Sequence, residues 1–166
     1  AEKKERIVSA ERVEIVDASE QLRILLEVGK DDSPQLVIMD SKGRKRIDVV
    51  LRSDVEPAIT LYDPKEQSRA SLRDTKEEEP HLQFWDRQGK LRMDLMINKD
   101  EFAGLKLIDS AGKQRVIAGV QGETCAIALL NEKERQVVEL GSDPKGNYGI
   151  MLRDAEGKRV WSAPPK

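Results

Sequence analysis

The chain has 166 residues, 36% of them charged, but the charges nearly cancel to a net of −2, so it carries no electrostatic footprint for nucleic acid or an anionic membrane surface. Its longest apolar runs are only a few residues, too short for a membrane-crossing helix. One Cys and one His exclude an internal disulfide and a Cys/His zinc site, and 38% hydrophobic residues with no linker or shift in composition fit one domain.

Residues 1–12 read as a charged N-terminal lead and cap, with AEKKER and Arg12 closing one end, and residues 13–166 as a single β-repeat domain. The start at Ala1, without Met, fits a removed signal or anchor segment, simple Met removal or a trimmed terminus.

From Val13 onward one pattern recurs: VEIVDASEQLRILL from Val13, LVIMDSKGRKRIDV from Leu36, ITLYDPKEQSRASL from Ile59 and LQFWDRQGKLRMDL from Leu82. LKLIDSAGKQRVIA follows from Leu105, IALLNEKERQVVEL from Ile127 and IMLRDAEGKRVWSA from Ile150. The markers Asp17, Asp40, Asp63, Asp86, Asp109, Asn131 and Asp154 are separated by 23, 23, 23, 23, 22 and 23 residues, so the domain is one tandem repeat. Both arms of each unit alternate apolar and polar with period two, which predicts two short strands sharing one apolar face. The first arms place there the columns that begin at Val13 and Ile15, and the second arms those that begin at Ile24 and Leu26. A single unit cannot bury these residues, so neighbours must stack.

Between the arms the Asp opens a turn by accepting backbone N–H bonds, and Gly43, Gly89, Gly112 and Gly157 supply a positive φ. Glu20, Glu66 and Glu134 stand at that place in three other units, where a strained or differently shaped turn is expected. Pro34, Pro57 and Pro80 mark the entry to the next first arm.

The fold class is therefore all-β, and two architectures fit. A β-solenoid of about seven rungs pairs like strands in parallel and buries the apolar face between two sheets, which favours it. Stacked antiparallel hairpins are the alternative, and they leave that face uncovered. The solenoid sets successive Asp side chains about 4.8 Å apart, a repulsion of roughly 0.9 kcal/mol per pair even in water. Arg23, Arg46, Arg69, Arg92 and Arg115, six places on, offset it.

The frames LYD and Arg69 in the third unit, FWDRQGKLR and LIDSAGKQR, with the closing VWSAPP from Val160 to Pro165, resemble a group of little-characterised bacterial proteins built from tandem Asp-x-x-Gly-Lys-x-Arg β-repeats of about 23 residues. The resemblance covers about the whole chain. It implies repeat architecture and an extracytoplasmic or envelope-associated location, a cytoplasmic one staying open, and it implies no chemistry. The chain departs from the pattern at Glu20, Glu66, Glu134, Asn131, Val137 and Val160. The irregular last unit, with Trp161, Pro164 and Pro165, reads as the second cap.

No residue pattern points to catalysis, a cofactor or a metal. The Asp column can be read as calcium ligands, but each unit offers one carboxylate followed in most units by Lys or Arg, which favours turn caps and ion pairs. The Arg column can be read as a polyanion site, against which the interleaved acids cancel its field. His81 and Cys125 lie about two units apart, so a nucleophilic pair is not expected. The position before each Asp, which the alternation points away from the apolar columns, holds Val16, Met39, Tyr62, Trp85, Ile108 and Leu130. Such a stripe marks a partner surface or, in a different fold, a second core, and ligand binding is a third reading.

The reading is a non-enzymatic structural or interaction module, a rigid rod that docks through this stripe on a protein partner or larger assembly. Its open ends allow end-to-end or homo-oligomeric contacts. The alternative is a carbohydrate-binding repeat protein with Tyr62 and Trp85 as stacking platforms.

Overall fold

The computed structural model describes residues 9–52 and 55–164. The AEKKER part of the proposed N-terminal cap and Pro165 of the C-terminal one lie outside the described residues. Fourteen strands follow in chain order: β1 Arg12–Val16, β2 Leu22–Val28, β3 Pro34–Met39, β4 Lys45–Arg52, β5 Glu56–Tyr62, β6 Ser68–Arg73 and β7 His81–Trp85. They continue as β8 Leu91–Ile97, β9 Ala103–Ile108, β10 Gln114–Gln121, β11 Thr124–Leu130, β12 Gln136–Ser142, β13 Tyr148–Arg153 and β14 Arg159–Ala163. All belong to one sheet, each strand pairing with its neighbours in sequence, and every pairing is antiparallel.

All-β repeat architecture is therefore what the chain forms, and stacked antiparallel hairpins fit it. The favoured β-solenoid does not: like strands of successive units are separated by a strand, and β1 is not hydrogen-bonded to β14. The physical reason lies at both ends of the strands. Each Asp turn reverses the chain within three residues, as where Asp17 N–H bonds Gln21 C=O and Glu20 N–H bonds Asp17 C=O, both at 2.9 Å. This is the three-residue hairpin loop, with the third loop residue in the left-handed region. Three of the loops between units reverse it as tightly: Gly29 to Ser33, Asn98 to Phe102 and Asp143 to Asn147 make the same pair of bonds. With two reversals per unit, like turns recur every second strand, about 9.6 Å apart, which relieves the crowding of carboxylates.

The register aligns the apolar columns across the whole sheet. One row runs Val13, Leu26, Leu36, Val49, Ile59, Leu72, Leu82, Leu95, Leu105, Ala118, Ile127, Leu140, Ile150, Ala163, each opposite the next. The second runs Ile15, Ile24, Ile38, Ile47, Leu61, Ala70, Phe84, Met93, Leu107, Val116, Leu129, Val138, Leu152, Trp161. These residues share one face, as the alternation implies. Their expected burial does not follow, because the single sheet supplies no second layer: Ile59, Leu72, Leu95, Ile127 and Leu140 stay 43–53% exposed.

Of the two outcomes expected at Glu20, Glu66 and Glu134, a strained turn or a differently shaped one, the structure shows the first. They adopt φ of 60°, 59° and 58° in the same bonding pattern as Gly43 and Gly89. The turn keeps its shape and the side chain carries the left-handed strain.

Candidate docking surface

Strand alternation puts two apolar residues of each strand on one side, and the antiparallel register joins them into two unbroken rows without a charged member. Side-chain size modulates this face. Over β9 to β11 small residues alternate with larger ones, and Ala103, Ala118 and Cys125 lie with Leu105 and Ile127 in a trough of about 920 Å³ flanked by Leu72, Leu95, Leu140 and Tyr148. The Phe102 ring fills the opposite side, where a Cβ on Gly104 or Gly119 would come within 2.3 or 2.5 Å of it. A second trough of about 620 Å³ lies over β1 to β5 among Val13, Leu26, Leu36, Val49 and Ile59.

The other face has the reverse character. Its central row runs through Leu25, Val37, Asp48, Thr60, Ser71, Gln83 and Asp94, each opposite the next, and every one of these is buried. Longer polar side chains bond beside it. Lys45 Nζ donates to Asp48 Oδ2 at 3.0 Å, Tyr62 Oη donates to the same oxygen at 3.4 Å, and Gln35 Nε2 donates to Glu27 Oε1 at 2.8 Å. His81 Nδ1 lies 2.9 Å from Asp94 Oδ1. Asp48 Oδ1 is buried and has no hydrogen-bond partner, a cost to folding that a carboxylate ordinarily avoids.

The sequence-predicted stripe flanks this polar face at the turn end. Met39, Tyr62, Trp85, Ile108 and Leu130 are half-buried and Val16 is exposed. They pair with Leu22 for Val16, then Lys45, Ser68, Leu91, Gln114 and Gln136 in order. The apolar members thus sit on every second strand, interrupted by Lys45, Ser68, Gln114 and Gln136. Tyr62 is engaged within the sheet, with Lys45 Nζ 5.2 Å from its ring centroid. His81 on β7 and Cys125 on β11 are not brought together; three strands lie between them, a separation on the order of 19 Å.

The Asp and Arg columns are occupied in holding the hairpins. Each turn Asp or Asn accepts the N–H groups two and four places on with Oδ1, as Asp86 does from Gln88 at 2.9 Å and Lys90 at 3.1 Å. The Arg six places on pairs with Oδ2 of the same Asp: Arg23 with Asp17 at 3.3 Å, Arg92 with Asp86 at 3.2 Å, and Arg69 with Asp63. The same Arg reaches the next unit, Nε donating to Met39 C=O from Arg23 at 3.2 Å, to Tyr62 C=O from Arg46 at 3.0 Å and to Ile108 C=O from Arg92 at 2.7 Å. It therefore works as a lateral staple, and Val137 and Val160 leave the last two units without it.

These bonds hold the carboxylates of Asp17, Asp40, Asp86 and Asp109 below the usual Asp range. The cause is chiefly the Arg44 side-chain bond at Asp40, the Ser19 N–H at Asp17, the Lys90 N–H at Asp86 and the Lys113 N–H at Asp109. With Oδ1 given to two N–H donors and Oδ2 to Arg, the carboxylates hold the chain together and do not converge on a common point.

The sequence alternation found the apolar rows and named them core; that they form an open surface needed the strand directions. No protein-family model matches the chain, and no curated protein matches it.

Proposed function

We propose that the chain is a non-enzymatic interaction module that docks on a larger assembly through its open apolar face. The observation that carries this reading is the pair of apolar rows, fourteen strands long and without a charge, on a sheet with no second layer. Apolar patches beyond a few hundred Å² are rare on free-standing proteins and mark sites of association. Docking is thereby assigned to the columns from Val13 and Ile15 onward, in place of the stripe from Val16 to Leu130, of whose members Met39, Tyr62, Ile108 and Leu130 pair with a polar residue. The polar face supports no catalytic reading: its carboxylates pair with Lys45 and His81, and Ser71 Oγ meets Thr60 Oγ1 at 3.5 Å. Kinship with the tandem-repeat proteins and an envelope-associated location belong to the same proposal and rest on the motif.

The test compares the native chain with a variant carrying Leu72→Lys and Leu95→Lys, by size fractionation of an extract of the cells that make it. The native chain is expected in a species larger than itself, and the variant at its own mass with an unchanged circular-dichroism spectrum. A native chain that elutes alone removes the reading. A variant that unfolds does so too, because these side chains would then be core.

A further inference from the structure

We propose that the occupant of the apolar face is the same face of a second copy, the two sheets stacking about a two-fold axis parallel to the strands. The proposal deepens the docking reading and rests on it. The dimensions come first. Fourteen strands at about 4.8 Å span about 62 Å, whereas a helix is about 10 Å across, so a helical partner would have to lay some six helices side by side. The rows contain no charge for a charged ligand to grip. An identical sheet matches the length, the strand spacing and the apolar width.

Area comes second. Two rows and their flanking side chains make a band about 14 Å wide, so a pair of copies hides roughly 1,700 Å², the size of a stable specific interface. Face-to-face sheets pack about 10 Å apart with their side chains interdigitated, which is the layer each copy lacks.

Relief comes third, and it selects the axis. A two-fold parallel to the strands lays β10 over β5 of the second copy and β9 over β6. Ala118, on the trough floor, then lies over Ile59, which is in the same row and 43% exposed. The opposite choice, an axis along the length of the sheet, lays each strand over its own counterpart with the two rows exchanged, so that Ile59 faces Leu61 and not Ala118. An interface about such an axis is self-complementary and closes at two copies, unlike the edge-to-edge pairing of β14 with β1, which continues without limit.

Sedimentation equilibrium of the purified full chain tests this, with no other protein present. Twice the mass of one chain is expected. Ala118→Lys buries an unpaired ammonium against Ile59 of the second copy and is expected to weaken association by on the order of a hundredfold or more. Leu72→Lys, at a more exposed position, gives the same result should the first variant fail to fold. Ala118→Leu and Ile59→Ala each weaken association, and the two together restore it, because the axis sets one against the other.

A purified chain that sediments at one mass overturns self-association; if it still enters a larger species in the extract, the docking reading stands without it. Three copies, or an open series, overturns the face-to-face pair. A dimer indifferent to Ala118→Lys and Leu72→Lys forms through another surface, and failure of the double variant to restore association overturns the axis.

Discussion

Leu25 and Leu26 are consecutive in β2, yet the first is 7% exposed and the second 43%. They point to opposite faces, and the difference between the faces runs against their polarity. The face with Asp48, Thr60, Gln83 and Asp94 along its centre is closed, while the face with two rows of Leu, Ile and Val is open. Polarity alone does not decide burial in a single sheet. What decides it is whether flanking side chains reach over the central row. On the polar side Lys45, Tyr62, Gln35 and His81 are long enough and bonded to their neighbours; on the apolar side no polar partner exists for such a reach. That side can be closed only by another layer, and this is why its exposure reads as a surface for association.

The largest expected effect breaks the comparison most directly. Val37→Asp puts a carboxylate into a closed position directly opposite Asp48 and should cost on the order of 3 kcal/mol or more, whereas Leu72→Asp in a single copy should cost under about 1 kcal/mol. Urea unfolding of both at dilution reads the difference. Equal losses would mean that the apolar face is closed as well, and the contrast between the faces would disappear.

Composition and alternation carried the all-β repeat, the columns that share a face, the Asp caps and the Asp–Arg pairs, because each depends on residues close in sequence. Strand direction was not carried with them. Period-two alternation says which residues share a side, and it reads the same for a strand that returns antiparallel as for one that continues a coil. The missing information lay in the loops between units. Asp143-Pro144-Lys145-Gly146 is a copy of the repeat's own turn motif, and Asn98-Lys99-Asp100-Glu101 is another with Glu101 at φ 59°. Both side chains cap as the repeat Asp does, Asp143 Oδ1 accepting from Lys145 N–H at 2.9 Å and Asn98 Oδ1 from Asp100 N–H at 3.0 Å. Read as turns, they give two reversals per unit and with them the meander. The two apolar rows were legible as residues but placed in a core, since period-two alternation does not say whether a second layer covers them.

The two apolar rows hold no titratable side chain, whereas the turn edge does, so pH separates the two regions. Asp17, Asp40, Asp63, Asp86 and Asp109 are all held below their ordinary range in the folded chain. A depressed native pKa contributes stability that is complete above the unfolded value, near 4, and is lost as pH falls through the native values. The melting temperature is therefore expected to hold steady from neutral pH to about 5 and to decline below about 4. Asp40→Asn should flatten the decline, because Asn131 shows that an amide oxygen caps the same turn, accepting from Lys133 and Arg135 N–H at 2.9 and 3.1 Å. An unchanged decline would assign the acid sensitivity elsewhere.

The smallest effect asks why the turn edge tolerates Glu where Gly is unstrained. A side chain in the left-handed region costs roughly 1–2 kcal/mol, while Gly gives back about 0.5–1 kcal/mol through the freedom of its unfolded chain. Glu66 obtains something in return: its Oε1 accepts the N–H of Lys45, in the turn of the preceding hairpin, at 3.0 Å. Glu134 does the same for Gln114 at 3.0 Å. Among the described residues no hairpin precedes that of Glu20, whose β1 is the edge strand of the sheet. Glu20→Gly should therefore stabilise the chain by about 0.5–1 kcal/mol, and Glu66→Gly by a few tenths or nothing, since it exchanges strain for a lost bond. Thermal unfolding of the two variants side by side isolates the bond between hairpins. Equal stabilisation by both would show that the Glu66 carboxylate adds nothing to the stacking of one unit on the next.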